Sequence, residues 1–218
     1  MTTIDGLTVQ QRVALVLIAL FAAPTAPADE RFAVGGRLDI MVGNGEPSND
    51  VPSYGIFATY AASDAWTFGI LLQHSDWDFE RPAAILGIQQ SPTVEDIDSK
   101  ASQEALSAWV ESPFGHPGGW TAFWQLGAGA AFIDVPKASG PTASGGQFNI
   151  EIDAATTPFV FGVVGLRREL GPHWRLDGAL RLEYLFADYT LRDTVSGQTA
   201  SIGSYTQYGA FFAFAYAF

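Results

Sequence analysis

The chain has 218 residues, enough for one domain of ordinary size, and a formal net charge of −12 that excludes nucleic acid as a partner, since phosphate binding needs clustered lysine and arginine. The absence of cysteine excludes a disulfide scaffold and a thiolate metal site. Hydrophobic residues make up 48% and aromatics 13%. Yet mean hydropathy is only +0.13, and no run of about twenty apolar residues, as a membrane helix requires, follows residue 30.

Val13–Ala23 is an apolar run of signal-peptide length, and Ala26-Pro27-Ala28 supplies small residues for cleavage. Residues 1–28 are therefore expected to be a cleaved signal peptide and 29–218 the folded domain, with a retained N-terminal helix as the alternative. From residue 31 the apolar residues alternate with period two, the spacing of strands. Strand one, 31–42, sets Phe32, Val34, Leu38 and Ile40 against Arg37 and Asp39. The turn formers of 43–50 separate it from strand two, 53–61. Ser63-Asp64 leads into strand three, 65–74, with Trp66 and Phe68 on its apolar face. A long acidic connection follows, carrying Asp76, Asp78, Glu80, Glu95, Asp96 and Asp98. Strand four, 101–111, alternates weakly.

Strand five, 120–134, places Trp120, Trp124 and Phe132 on one face. After a Gly/Ser/Pro-rich loop at 135–146, strand six is expected over 148–168, with a bulge where the parity slips at Thr156–Pro158. Strand seven, 174–187, aligns Trp174, Tyr184 and Phe186 against Arg175, Asp177, Arg181 and Glu183. A loop at 188–203 precedes the final strand, whose last residues read YGAFFAFAYAF. Phe212, Phe214, Tyr216 and Phe218 share one parity there, while Gly209, Ala213, Ala215 and Ala217 share the other. Neither face is polar. Lipid on the aromatic side and a narrow barrel interior on the small side explain this pattern; an ordinary buried strand is the alternative.

The count is eight strands, with short turns and long loops in alternation. The signal-like start, the alternating segments and the aromatic strand ending in Phe218 resemble the small outer-membrane β-barrel families of the OmpA-barrel, OmpX and OmpW kind. Gly165–Tyr184 (GLRRELGPHWRLDGALRLEY) is similar to their hairpins. The resemblance covers about residues 31–218. It implies an all-β, eight-stranded antiparallel up-and-down transmembrane barrel in the outer membrane of a Gram-negative bacterium. It also implies lipid and lipopolysaccharide as surroundings, and recognition of the terminal strand by the assembly machinery.

Arg37, Asp39, Arg175, Asp177, Arg181 and Glu183 then fall on the face opposite lipid. Buried charge is tolerated when it is paired, so a salt-bridge network filling the lumen is expected, with a gated polar path as the sharper alternative. Three functional readings follow: a structural or surface barrel with acidic loops, a small-solute channel of OmpW-like type, and a lipid A-modifying enzyme. For the last, His74, Ser75 and Asp76 adjoin, but neighbours on a strand point apart, and the deacylase pattern His-x-Ser-Asn is missing. His116 and His173 fall in turns. No cofactor, metal or catalytic set is assigned, and no envelope partner is specified.

Overall fold

The computed structural model describes residues 31–43, 50–79, 82–89, 99–134, 137–152 and 155–218. The signal segment expected over 1–28 lies outside these, as do Glu80, Glu95, Asp96 and Asp98. Eight long strands close an antiparallel barrel: β1 (Phe32–Gly43), β2 (Asp50–Ala61), β3 (Thr67–Phe79), β4 (Ser99–Gly115), β5 (Thr121–Asp134), β8 (Ala155–Glu169), β9 (Trp174–Leu185) and β12 (Tyr205–Ala217). Sequential barrel strands pair with one another, and β12 returns to β1 with Val34 opposite Tyr216 and Ile40 opposite Ala210. The turns at 62–66, 116–120 and 170–173 share one rim, and the longer connections rise from the other.

Two of those connections fold. β6 (Ala138–Pro141), β7 (Gln147–Ile152), β10 (Tyr189–Asp193) and β11 (Thr199–Ile202) make a second sheet, ordered β11-β10-β7-β6, above the long-loop rim. Phe148, Ile150 and Leu191 are buried beneath it, with Ala83 at the single helical turn α1 (Pro82–Ile85). Twelve strands are therefore described where eight were expected, because short strands without a tall apolar face leave little periodic signal. The strand expected over 148–168 is two strands in different sheets. Its expected bulge is corrected: the β5–β8 register runs unbroken from Ala155 to Arg167, so the parity slip marks the passage from β7 to β8. The barrel's register shift lies instead between Pro113 and Gly115, which turns Phe114 outward to 62% exposure.

Period-two alternation gives the wall two chemistries. Outward stand Leu38, Leu180 and Phe212, exposed by 66%, 65% and 68%, in a belt that continues around the barrel. A closed barrel leaves no sheet edge for water to satisfy, so such a belt is the solution for a wall in hydrocarbon. Inward, the wall is narrow enough to demand glycine at particular points. A Cβ on Gly209 would collide with the Ile40 carbonyl and with Met41, whereas Gly36, facing outward, has open space.

Above the rim, the β10–β11 turn is organised by Asp193. Its carboxylate accepts hydrogen bonds from the N–H groups of Asn149 (2.8 Å), Val195 (3.2 Å) and Ser196 (3.0 Å) and from the Ser196 hydroxyl (2.5 Å). Burial by itself raises the Asp193 pKa; the bonds from Ser196 and the amides outweigh that and hold it at about 2.

Gly209→Ala is expected to cost about 1–3 kcal/mol by overpacking against rigid backbone, while Gly36→Ala is neutral, both read as the unfolding temperature in detergent. Equal midpoints would contradict this packing. The Asp193 carboxyl titrates near 2 folded and about 3.9 unfolded. Its contribution is thus complete above about pH 4 and lost as pH falls through about 2. Amide protection at Val195 and Ser196 should be flat from neutral pH down to that window and decline within it. In Asp193→Ala it should already be about tenfold lower at pH 7.

Candidate functional site

The lumen gathers the inward residues of all eight barrel strands into two charged layers. In the layer nearer the long loops, β1 brings Arg37 and Asp39, and β9 brings Arg181 and Glu183; all four are buried. Arg37 donates from Nε to both Asp39 oxygens at 2.9 and 2.8 Å and also pairs through Nη2. Arg181 pairs with Glu183, stands 3.7 Å from Asp39, and donates to Gln73 at 3.2 Å. Gln73 in turn donates to Ser53. The charges balance, two cations against two anions.

β12 lies between β1 and β9 and brings no charge of its own to this layer. Its inward Gly209, Ala213 and Ala215 leave room for the arginines to reach across, and Arg37 rests 3.5 Å above the Phe211 ring. The small face of YGAFFAFAYAF thus shapes the interior as its aromatic face shapes the exterior.

The layer nearer the short turns is built around Arg167. It donates to both oxygens of Asp177 (2.8 and 3.0 Å) and both of Glu111 (2.6 and 3.1 Å). Such forked, charge-assisted pairs are the strong class of hydrogen bond. Gln125 donates to Glu111 at 2.9 Å. Arg175 is less well served: its Nε is 3.8 Å from Asp177, beyond hydrogen-bond range, and Nη2 reaches Thr59 at 3.3 Å. Phe57, Trp109, Phe161 and Phe211 occupy the interior with these layers, and Arg181 lies 4.4 Å from the Phe161 ring.

The six charges anticipated from sequence all face the lumen, but they divide between the two layers rather than forming one group. Arg167 and Glu111, the centre of the lower layer, escaped the sequence reading. Arg167 sits where parity had been disturbed by the supposed bulge, and Glu111 ends the weakly alternating strand four. The signal available was a charge at each strand's short-turn end, Arg167 and Asp177 falling opposite one another across a tight hairpin.

Outside, Phe68, Phe132, Tyr184, Phe186, Phe212, Phe214 and Phe218 are exposed, and Trp174 stacks on Phe214 at 4.8 Å. Tyr216 packs edge-on against Trp174, and Trp124 meets Trp66 in the same manner at 5.8 Å. Trp66 and Trp120 stand in the turns just before β3 and β5 rather than on the strands themselves.

The residues weighed for nucleophilic chemistry separate. Ser75 is buried on the lumen side. His74 faces outward, with Nδ1 2.6 Å from Glu104 and Nε2 3.1 Å from Asp76. Both ring nitrogens are therefore turned to carboxylates on opposite edges of the ring, not to a serine and not to one common point. No metal-holding group of histidine and carboxylates is found among the described residues. At the short-turn rim His173 donates from Nδ1 to the Ala217 carbonyl oxygen at 3.1 Å and stacks on Tyr216.

Removing Arg167 leaves Glu111 and Asp177 buried without their cation. Arg167→Ala is expected to cost about 3–5 kcal/mol, while Arg168→Ala, on the outer face one residue along, stays within about 0.5 kcal/mol. The readout is the temperature at which the folded band is lost in heat-modifiable gel migration; similar losses for both would refute the layer.

No protein-family model matches the chain, and no curated protein matches it in sequence. Solved structures do share its shape. It is similar to the Neisserial surface protein A, NspA, at a TM-score of 0.51 and 10% identity, over 86% of this chain and 97% of that one. It is also similar to the outer membrane protein OprG of Pseudomonas aeruginosa, at a TM-score of 0.55 and 10% identity, over 86% and 95%. Identity this low carries fold alone. The closed barrel and its apolar belt agree with that fold and place the chain in a bacterial outer membrane. By architecture, this chain is a small eight-stranded outer-membrane β-barrel.

Proposed function

We propose that the chain is a closed barrel with a structural or surface role: an anchor that holds the sheet β11-β10-β7-β6 outside the membrane, in contact with lipopolysaccharide, and passes no solute. The observation that carries this reading is the interior itself. Two layers of oppositely charged side chains, each bridging separate strands, are buried inside the barrel with Phe57, Trp109, Phe161 and Phe211, which supports a filled lumen. Opening a path through them means separating buried ion pairs, which costs several kcal/mol for each charge left alone.

A small-solute channel is the second reading, and one observation favours it. Among the described residues, Trp109 Nε1, Gln125 Oε1, Arg175 Nε and Arg181 Nε are buried without a hydrogen-bond partner. These are groups a permeating polar molecule would meet. An enzymatic reading has less support, since His74 is held between Glu104 and Asp76 on the face opposite Ser75.

Planar-bilayer recording separates the first two. The closed barrel predicts a wild-type current no different from protein-free membrane. Paired removal of the long-loop layer (Arg37→Ala with Asp39→Ala) should then admit ions. Steady, resolvable openings in the wild type would overturn the anchor reading in favour of the channel.

A further inference from the structure

At the long-loop rim the barrel wall is uneven. The β3–β4 ladder continues up to Phe79 opposite Ser99. Its flanking ladders stop sooner: β2 pairs with β3 as far as Ser53 opposite Ser75, and β5 pairs with β4 as far as Asp134 opposite Ser102. Residues 77–79 and 99–101 therefore pair only with one another among the described residues, as a two-stranded ribbon rising from the rim. A ribbon of this kind is marginally stable by itself. It leads onward to α1, which packs against β7 with Ala83 fully buried, and to Gln89, whose carbonyl accepts from the Ala143 N–H just after β6. The ribbon thus joins the barrel wall to the sheet above the rim.

A histidine stands at the foot of this ribbon. His74 has Nδ1 2.6 Å from Glu104 on β4 and Nε2 3.1 Å from Asp76, two residues further up its own strand. A neutral imidazole carries one N–H and would turn the lone pair of its other nitrogen on a carboxylate; only the imidazolium donates at both. The second proton belongs on the ring rather than on a carboxyl, whose ordinary pKa lies about two units lower. Tyr54 faces the ring from β2, with 5.2 Å between centroids. The other outward neighbours on β2 and β4, Pro52, Ile56, Ser102 and Leu106, are uncharged. One strand further, Asp134 adds another carboxylate opposite Ser102.

We propose that His74 is a proton-operated tie: as an imidazolium it holds Glu104 and Asp76 and clasps β3 to β4 at the base of the ribbon, and on losing a proton it releases the ribbon. Once the ring is neutral, the two carboxylates stand diagonally across the ladder with no cation between them, and like charges on neighbouring strands loosen the pairing. The effect is confined to the ribbon, because β3 below Ser75 and β4 below Ser102 are paired on both sides. The sign follows from the chemistry. The tie is complete in mildly acidic solution, where the ring holds both protons, and is lost as pH rises through its titration. The link between barrel and sheet therefore firms in acid and loosens in alkali.

NMR of the folded barrel in lipid nanodiscs tests the tie. At pH 6 both ring nitrogens of His74 should carry protons in nitrogen-15 spectra. Raising the pH to 9 should remove one of them and lower the protection of the bonded amides in 77–79 and 99–101 about tenfold after correction for intrinsic exchange, the scale of one charge-assisted bond. Amides of residues 68–72 should stay unchanged. His74→Gln, checked for folding by heat-modifiable migration, can donate to one carboxylate only. Its ribbon should show the lower protection already at pH 6 and no step up to pH 9. A single ring proton at pH 6, equal ribbon protection at the two pH values in the wild type, or the same step in His74→Gln would each overturn the proposal.

Discussion

The pairing of buried arginines with carboxylates inside a wall that faces hydrocarbon is the constraint on which the rest of this barrel depends. A guanidinium or carboxylate in such a lumen is tolerable only beside its counter-charge. The chain meets this by placing opposite charges two residues apart on a strand, Arg37 with Asp39 and Arg181 with Glu183, so that alternation points both members inward. Cross-strand contacts then tie these local pairs into layers: Arg181 to Asp39 past β12, and Arg167 to Glu111 past β5. Strand order and charge order support one another.

The same alternation accounts for the strange composition of β12. A strand lying between two charged strands has to be thin on its inner side, hence Gly209, Ala213 and Ala215, and apolar on its outer side, hence Phe212 and Phe214. Its large inward residues are Tyr205 and Gln207 toward the long-loop end and Phe211 at mid-strand, where Arg37 covers the ring. Cation, ring and small wall residues form a single packing unit. The sheet above the long-loop rim follows different rules: its stability rests on Phe148, Ile150 and Leu191 and on the Asp193 turn, none of which belongs to the barrel's apolar belt.

The barrel strands were legible in the sequence because each separates two chemistries, and strand seven shows why. Its outward Trp174, Leu180 and Tyr184 and inward Asp177, Arg181 and Glu183 admit one orientation only. β6, β10 and β11 were not legible: at four or five residues each they hold too few apolar side chains to show a sustained period. β7 (QFNIEI) alternates cleanly and was read, but as the start of the strand expected over 148–168 rather than as part of a second sheet. The slip at Thr156–Pro158 carried real information, but of a change of sheet rather than a bulge. That misplacement also hid Arg167, and with it the fact that the six expected charges belong to two layers.

The outer face and the lumen make separate demands, and adjacent residues answer them: Arg167 holds two carboxylates inside, while Arg168 stands against Trp120 outside. The central claim is that the interior is filled by paired charge and not by solvent. Hydrogen-exchange NMR of the arginine Nε–H groups in lipid nanodiscs tests it most directly. The filled lumen predicts slow exchange at Arg37 and Arg167, whose Nε–H groups are bonded to Asp39 and Asp177, and fast exchange at Arg168. Exchange at Arg37 and Arg167 as fast as at Arg168 would mean that water threads the barrel, and would contradict the account.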